Sequence, residues 1–420
     1  MSTPVVFKFG GASVKDAESV RNIAKIISDY PSRPMVVVVS AMGKMTNAFE
    51  RVVEAWNEKN ASLAKEEIET IENFHQKIID DLFPNPPIEL LEQINFWMQS
   101  LKSGLSKTEV SYSQQYDFIV HFGELISTRI ISTFVHQSTP SVWLDTTTMV
   151  KTDHHFRRAT VDWPATKTAI PAGIHLDKVN FVQGFIGSDS EGNPTTLGRE
   201  GSDYSGAVFA YCLNAESLTI WKDVPGMLNG DPKTFKNTHK IDSLPYSEAI
   251  ELAFYGASIL HPKTIQPMQR RSIPLYIKSF MDPTAPGTVI SDVDIAKPEI
   301  ANFILKNNQA LLEISTTDLA FIVEHHLSAV YELFGRNGVV VNLMRNTATK
   351  AIFCINNDRI IVPKVVTELE ATFTVHLQEK VELLTIRHYS EEEVTREIQG
   401  LHILQEQRTP DTVQFVFKRT

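Results

Sequence analysis

The stretch FKFGGASV, residues 7–14, decides how the rest of the chain is read. Lys8 sits on an apolar run, Pro4 to Phe9, that reads as a short strand, and the paired glycines Gly10 and Gly11 follow it. The next segment, KDAESVRNIAKIISDY, spaces its apolar residues at helical intervals, so the order is strand, glycine turn, helix. MVVVVS, residues 35–40, is a continuous β-branched run of the kind buried on both faces of a parallel sheet, and the chain therefore opens β-α-β. The Gly-Gly pair satisfies neither G-x-x-x-x-G-K-[ST] nor G-x-G-x-x-G. Taken alone, it fits a tight turn with Lys8 on a solvated edge as well as it fits an anion site.

Working outward, residues 47–110 are helical in pattern with a break near FPNPP, an insertion of long helices. Sheet elements return at 142–145 (VWLD), 179–187 (VNFVQGFIG), 217–224 (SLTIWKDV) and 274–278 (PLYIK), with helical stretches between several of them. The first 280 or so residues read as one α/β domain. In DPTAPGTVISDVDIAKPEI, residues 282–300, Pro, Gly and Asp cluster, which predicts the domain boundary. Beyond it strands and helices of small size alternate, predicting two small antiparallel α+β units, the second shorter than the first.

Composition narrows the function. The 420 residues are 42% hydrophobic and 21% charged, ordinary for a globular chain, and no run looks like a membrane span. A formal charge of -10 argues against a general nucleic-acid or membrane-surface binder, while leaving room for a local basic pocket that captures a small anion. Cys212 and Cys354 are too few for a disulfide framework and stand in no metal-ligand spacing; with no signal-peptide pattern at the start, a cytoplasmic location is expected.

A second glycine cluster changes the weight of the first. TTLGREGSDYSGAVFAYCL, residues 195–213, sets Gly198 and Gly201 around Arg199, then Ser202 and Asp203 where a helix should begin. Helix capping would explain Ser202 or Asp203 but neither Arg199 nor the glycines. Free N–H groups at a helix start, beside glycines that permit close approach, make an anion site. Two such sites and a lysine suit a triphosphate held between them.

In this order KFGGASV, SAMGKMTN, FGELIS, GFIG, TTLGREGSDYSGA, WKDVPGMLNGDPKTF, ELAFYGASILHPKTI and IPLYIKSFMDPTAPGT together resemble the aspartate kinase branch of the amino acid kinase family, over nearly the whole first domain. The resemblance implies an α/β/α sandwich over residues 1–295 that binds ATP with Mg²⁺ and L-aspartate and phosphorylates the side-chain carboxylate. It also implies an α+β, ferredoxin-like ACT region over 300–420 through which a homodimer forms. Carried over by residue, it makes Lys8 and Asp203 catalytic, Lys8 stabilising charge on the phosphoryl group and Asp203 positioning, with Gly10 and Gly11 cradling phosphates. Aspartate would be held by Arg199 on its non-reacting carboxylate and Glu124 on its ammonium, with Ser40, Thr46 and Ser202 as polar neighbours and Phe185 as a wall. Lys222, Asp223, Leu228, Lys233, Ser258 and Ile259 would meet the nucleotide; Lys233, Ser258, Leu228 and Ala12 depart from the residues usual in the family.

Blander readings stand beside several of these. Without the resemblance Glu124 reads as a solvated first-turn helix charge, Trp221 as core rather than a base-stacking ring, and His325 with His326 as a solvated helix start rather than a metal site. Two other functions remain open. A sibling kinase for acetylglutamate, glutamate or carbamate should lack the combined SAMGKMTN, FGELIS and SDYSGA blocks, and a non-catalytic amino-acid sensor should lose Lys8, Arg199 or Asp203, all present. In the second half, TTDLAFIVEHHLSAVYELF has no glycine between Thr317 and the helix, and Asn342 stands where an acidic residue is common; feedback by lysine or threonine is therefore expected to be weak, absent or directed to another ligand.

Overall fold

The computed structural model describes residues 3–30, 34–107, 109–257, 259–318 and 320–419. Its contacts divide into two units. The first holds residues 1–227, 240–250 and 259–296, and the second holds 228–239, 251–258 and 297–420.

In the first unit the apolar opening run forms β1 (Val5–Phe9), and the amphipathic segment after the glycines forms α1 (Ala17–Ser28), capped by Asp16, whose side chain accepts the Ser19 N–H. β2 (Met35–Val39) is buried at every position, as a doubly covered parallel strand must be. The helical insertion follows as α2 (Met45–Asn57), α3 (Ala61–Leu82), α4 (Ile88–Gly104) and α5 (Tyr112–His136). After these come β3 (Ser141–Trp143), α6 (Trp163–Gly173), β4 (Val179–Gln183), β5 (Ile186–Ser188), β6 (Pro194–Thr196), α7 (Gly201–Leu213) and β7 (Ser217–Lys222).

The main sheet has eight strands. β7 and β2 flank β1 in parallel, with Lys8 opposite Val38 and Ile220, and β4 and then β3 continue the sheet beyond β2. Leu275–Ser279, Thr288–Ser291 and Ser243–Pro245 extend it beyond β7; only the pairing of 275–279 with 288–291 is antiparallel. Within the 282–300 stretch, Thr288–Ser291 is a sheet strand, its alternating Thr-Val-Ile-Ser pattern outweighing the flanking Pro and Gly, and the units divide between residues 296 and 297. α5 is long and apolar enough to cross a membrane, against the expectation that no run would be, but 78% of its most apolar stretch is buried inside the unit. It is a core helix.

The second unit contains one six-stranded antiparallel sheet instead of two separate α+β units. The cause is a pair of 15-residue strands, Asn302–Thr316 and Phe373–Arg387, which pair with each other along both halves through two irregularities near Lys306–Leu311. Val341–Asn346 and Lys350–Asn356 add to one end, and Thr412–Arg419 and Leu401–Arg408 to the other. The helices Glu324–Asn337 and Ile361–Glu370 contribute to one apolar cluster, and the short helix Glu391–Ile398 contributes to another.

Candidate active site

Lys8 lies on the face of β1 that meets α7. A β-carbon on Gly206 of that helix would come 3.5 Å from the Lys8 β-carbon. Only 7% of Lys8 is exposed, and its ammonium is 2.6 Å from Asp203 Oδ1 in the first turn of α7. The second Asp203 oxygen lies 3.2 Å from Lys222 Nζ at the end of β7, and Lys222 also donates to the Ile259 carbonyl. One buried carboxylate thus fixes two lysines from adjacent strands. Burial would raise the Asp203 pKa, but the two ammoniums outweigh it and hold the carboxyl below its ordinary value.

The loops around this centre approach closely. A β-carbon on Gly11 would sit 2.7 Å from the Gly43 carbonyl oxygen, and the Gly43 N–H bonds the Gly11 carbonyl at 3.1 Å, so the turn after β1 is sealed against the turn after β2. On the other side, a β-carbon on Gly201 would meet the Phe185 ring at 2.6 Å. Phe185 itself, at φ 70°, is anchored by its N–H to Ser205 Oγ at 2.9 Å. Helix α7 begins not with a Ser or Asp cap but from Glu200, at φ 53°; the Gly201 and Asp203 N–H groups bond the Gly198 and Glu200 carbonyls, and among the described residues the Ser202 N–H in the first turn has no acceptor.

Glu124 is in the middle of α5 and 2% exposed, which overturns its reading as a solvated first-turn charge; the apolar residues on both sides of it carry the helix through the core. Its Oε1 accepts the Ala41 N–H at 3.3 Å, while Oε2 is buried with no hydrogen-bond partner among the described residues. Ser127 Oγ donates to the Ser40 carbonyl at 2.7 Å and ties α5 to the end of β2. Burial pushes the Glu124 carboxyl up to about 8. A buried carboxylate with one spare oxygen is a receptor for a cation.

Lys8, Gly11, Ser40, Thr46, Glu124, Phe185, Arg199, Ser202, Asp203 and Lys222 all line one cleft of about 590 Å³. Gly10 adjoins Lys8, where a β-carbon would crowd the ammonium at 3.2 Å. Ile259 is reached through its carbonyl by Lys222, and Asp223 is exposed just beyond β7. Leu228 and Lys233 belong to the second unit, and Ser258 lies outside the described residues. Sequence reasoning missed Glu50, Tyr116, Arg157 and Glu200, which also line the cleft. The Tyr116 hydroxyl donates to Glu50 Oε1 at 2.6 Å. Trp221 is core, packed parallel to Phe9 with centroids 6.0 Å apart. Among the described residues no group of three or more His, Cys, Asp or Glu could hold a metal ion, and His325 and His326 simply open a helix.

A site of this kind, with two lysines on a helix-borne carboxylate at the C-terminal ends of parallel strands, is built for phosphoryl transfer. The sequence matches the amino acid kinase family over residues 3–279. It is 30% identical over 402 residues to lysine-sensitive aspartokinase 3 of Escherichia coli (strain K12), covering 92% of this chain and 87% of that one. It is 33% identical over 355 residues to the chloroplastic aspartokinase 1 of Arabidopsis thaliana, covering 81% of this chain and 61% of that longer protein. The crystal structure of E. coli aspartokinase III in complex with aspartate and ADP (R-state) superposes with a TM-score of 0.83 at 26% identity, covering 98% of this chain and 96% of that one. The chain belongs to the amino acid kinase family and, within it, to the aspartokinases.

Proposed function

We propose that this chain transfers the γ-phosphoryl group of ATP to the side-chain carboxylate of L-aspartate, giving 4-phospho-L-aspartate and ADP. One observation carries the reading: the Lys8–Asp203–Lys222 centre shares a cleft with Glu124, whose Oε2 has no hydrogen-bond partner among the described residues. An aspartate side chain is ionised at neutral pH, with an ordinary pKa near about 3.9, so its oxygen attacks the γ-phosphorus without a base and the bond to the β-phosphate oxygen breaks. Lys8 and Lys222 offset the charge on the transferring group. Asp203, saturated by two ammoniums, holds them in place and takes no proton. Glu124 Oε2 receives the substrate ammonium, and Arg199 forks the non-reacting carboxylate. The Ser202 N–H at the start of α7 and the Gly10–Gly11 turn offer donors to the phosphates.

Magnesium bound with the nucleotide would supply neutralisation of the phosphate charge. That fits this donor set, in which Asp203 is already paired and the metal would be held by phosphate oxygens and water. We assign the chain to the cytoplasm, consistent with two unpaired thiols, Cys212 and buried Cys354, and infer a homodimer through the C-terminal sheet. The test is coupled ADP release with aspartate, glutamate and N-acetylglutamate in parallel, with hydroxylamine trapping of the acyl phosphate. Turnover and hydroxamate with aspartate alone are expected; turnover with N-acetylglutamate but not aspartate would assign the chain to a sibling activity.

A further inference from the structure

Arg157 does something costly for no visible reason. It stands at φ 69°, the left-handed region in which a residue with a β-carbon is strained. The surrounding structure enforces that conformation. Asp117, fully buried, accepts the Arg157 N–H with both carboxylate oxygens at 3.1 and 2.9 Å, and the same carboxylate accepts the Thr196 N–H at 2.9 Å and the Thr196 hydroxyl at 2.7 Å. The Ala159 N–H adds a bond to the Thr196 carbonyl at 2.8 Å. The loop bearing Arg157 is thereby riveted to β6, the strand that leads directly into Gly198 and Arg199. A glycine would satisfy this backbone without strain, so the side chain is what the strain preserves.

That side chain lines the same cleft as Arg199. Its guanidinium lies 4.7 Å from the centre of the Tyr116 ring and 5.4 Å from that of Tyr112. Among the described residues its guanidinium takes part in no ion pair and no hydrogen bond. Of the other charges there, Lys8 and Lys222 are engaged on Asp203, and Glu50 with the Tyr116 hydroxyl. Two aromatic faces hold the guanidinium in place and leave its N–H fork unspent.

Resting on the function proposed above, we infer that Arg157 is a specificity-determining residue that shares with Arg199 the non-reacting carboxylate of the substrate. Two guanidinium forks on one carboxylate discriminate against amino acids that lack it, because a substrate without that anion leaves two cations of one cleft unpaired.

Arg157→Gly and Arg157→Asn test this, since both residues accept the left-handed backbone and keep the bond to Asp117. The KM for aspartate should rise about 10- to 100-fold, the range of a lost charged hydrogen bond, while the KM for ATP stays within about twofold and kcat falls less than the KM rises. The inhibition constant of the α-amide of aspartate, which lacks the negative charge, should be the same for wild type and variants. An unchanged KM for aspartate overturns the inference, as does an equal weakening of aspartate and its α-amide. A rise confined to ATP would assign Arg157 to the phosphates and overturn it too. If the wild-type protein does not phosphorylate aspartate at all, the functional reading fails with it; normal wild-type turnover with an unaltered variant KM sinks only the role of Arg157.

Discussion

Ionising Glu124 is costly until a cation arrives, and this gives the site its pH dependence. Because burial raises its folded-state pKa from 4.5 to about 8, the empty protein keeps a proton there that the unfolded chain releases. Its contribution to stability is full below about pH 4.5 and is lost as the pH rises through about 8. Glu124→Gln should abolish that decline, melting higher than wild type above about pH 8 in thermal scans while losing most affinity for aspartate. For the wild type, ammonium binding requires the ionised form, so aspartate should expel a proton near neutral pH, and calorimetry in two buffers of different ionisation heat measures it. Lys8→Ala should cut kcat by about 10²- to 10³-fold, the usual loss for a donor acting in the transition state, with the fold intact by circular dichroism. At this scale the sequence was most legible where glycines flank a charge, as at Lys8 and Asp203. Arg157 was not, because HHFRRAT carries no pattern until Asp117, forty residues earlier, pins it.

Among the elements, α7 depends most on close approach. In Gly201→Ala the new methyl would meet the Phe185 ring at 2.6 Å, and Phe185 is itself held by Ser205, so the helix start must shift. Overpacking of this kind costs roughly 1–3 kcal/mol, and moving Asp203 should lower kcat more than it lowers the urea midpoint would imply. Asp117→Ala should be worse for stability: it strands two backbone N–H groups and a hydroxyl, each worth about 1–3 kcal/mol when left unpaired. Strand and helix types were readable from periodicity at β1, α1, β2, β4, β7 and Leu275–Ser279, though not at Thr288–Ser291. What periodicity could not give was partnership, since Glu50 on α2 and Tyr116 on α5 meet only once the two helices pack.

For the molecule as a whole, the second unit argues about regulation. Asn342 accepts from Lys306 Nζ at 2.7 Å and donates to Gln309 Oε1 and Asn356 Oδ1, both at 2.7 Å, so its amide is saturated by its own chain. Lysine or threonine, titrated singly and together into the steady-state assay, should produce no potent inhibition, unlike what the name of the lysine-sensitive E. coli relative describes. The single sheet of this unit was hidden from sequence because a 15-residue strand that serves both halves looks, in one dimension, like two strands interrupted by Lys306, Asn307 and Asn308. The position of β1 has a different kind of consequence. It lies between β2, which follows within 40 residues, and β7, which ends at Lys222. On a ribosome adding about 5–20 residues per second, the catalytic strand must wait roughly 10–40 seconds with one apolar edge open before its second neighbour has been made. Nascent chains stalled before β7 should therefore be the ones that holdase chaperones capture, and release should follow once that strand clears the exit tunnel.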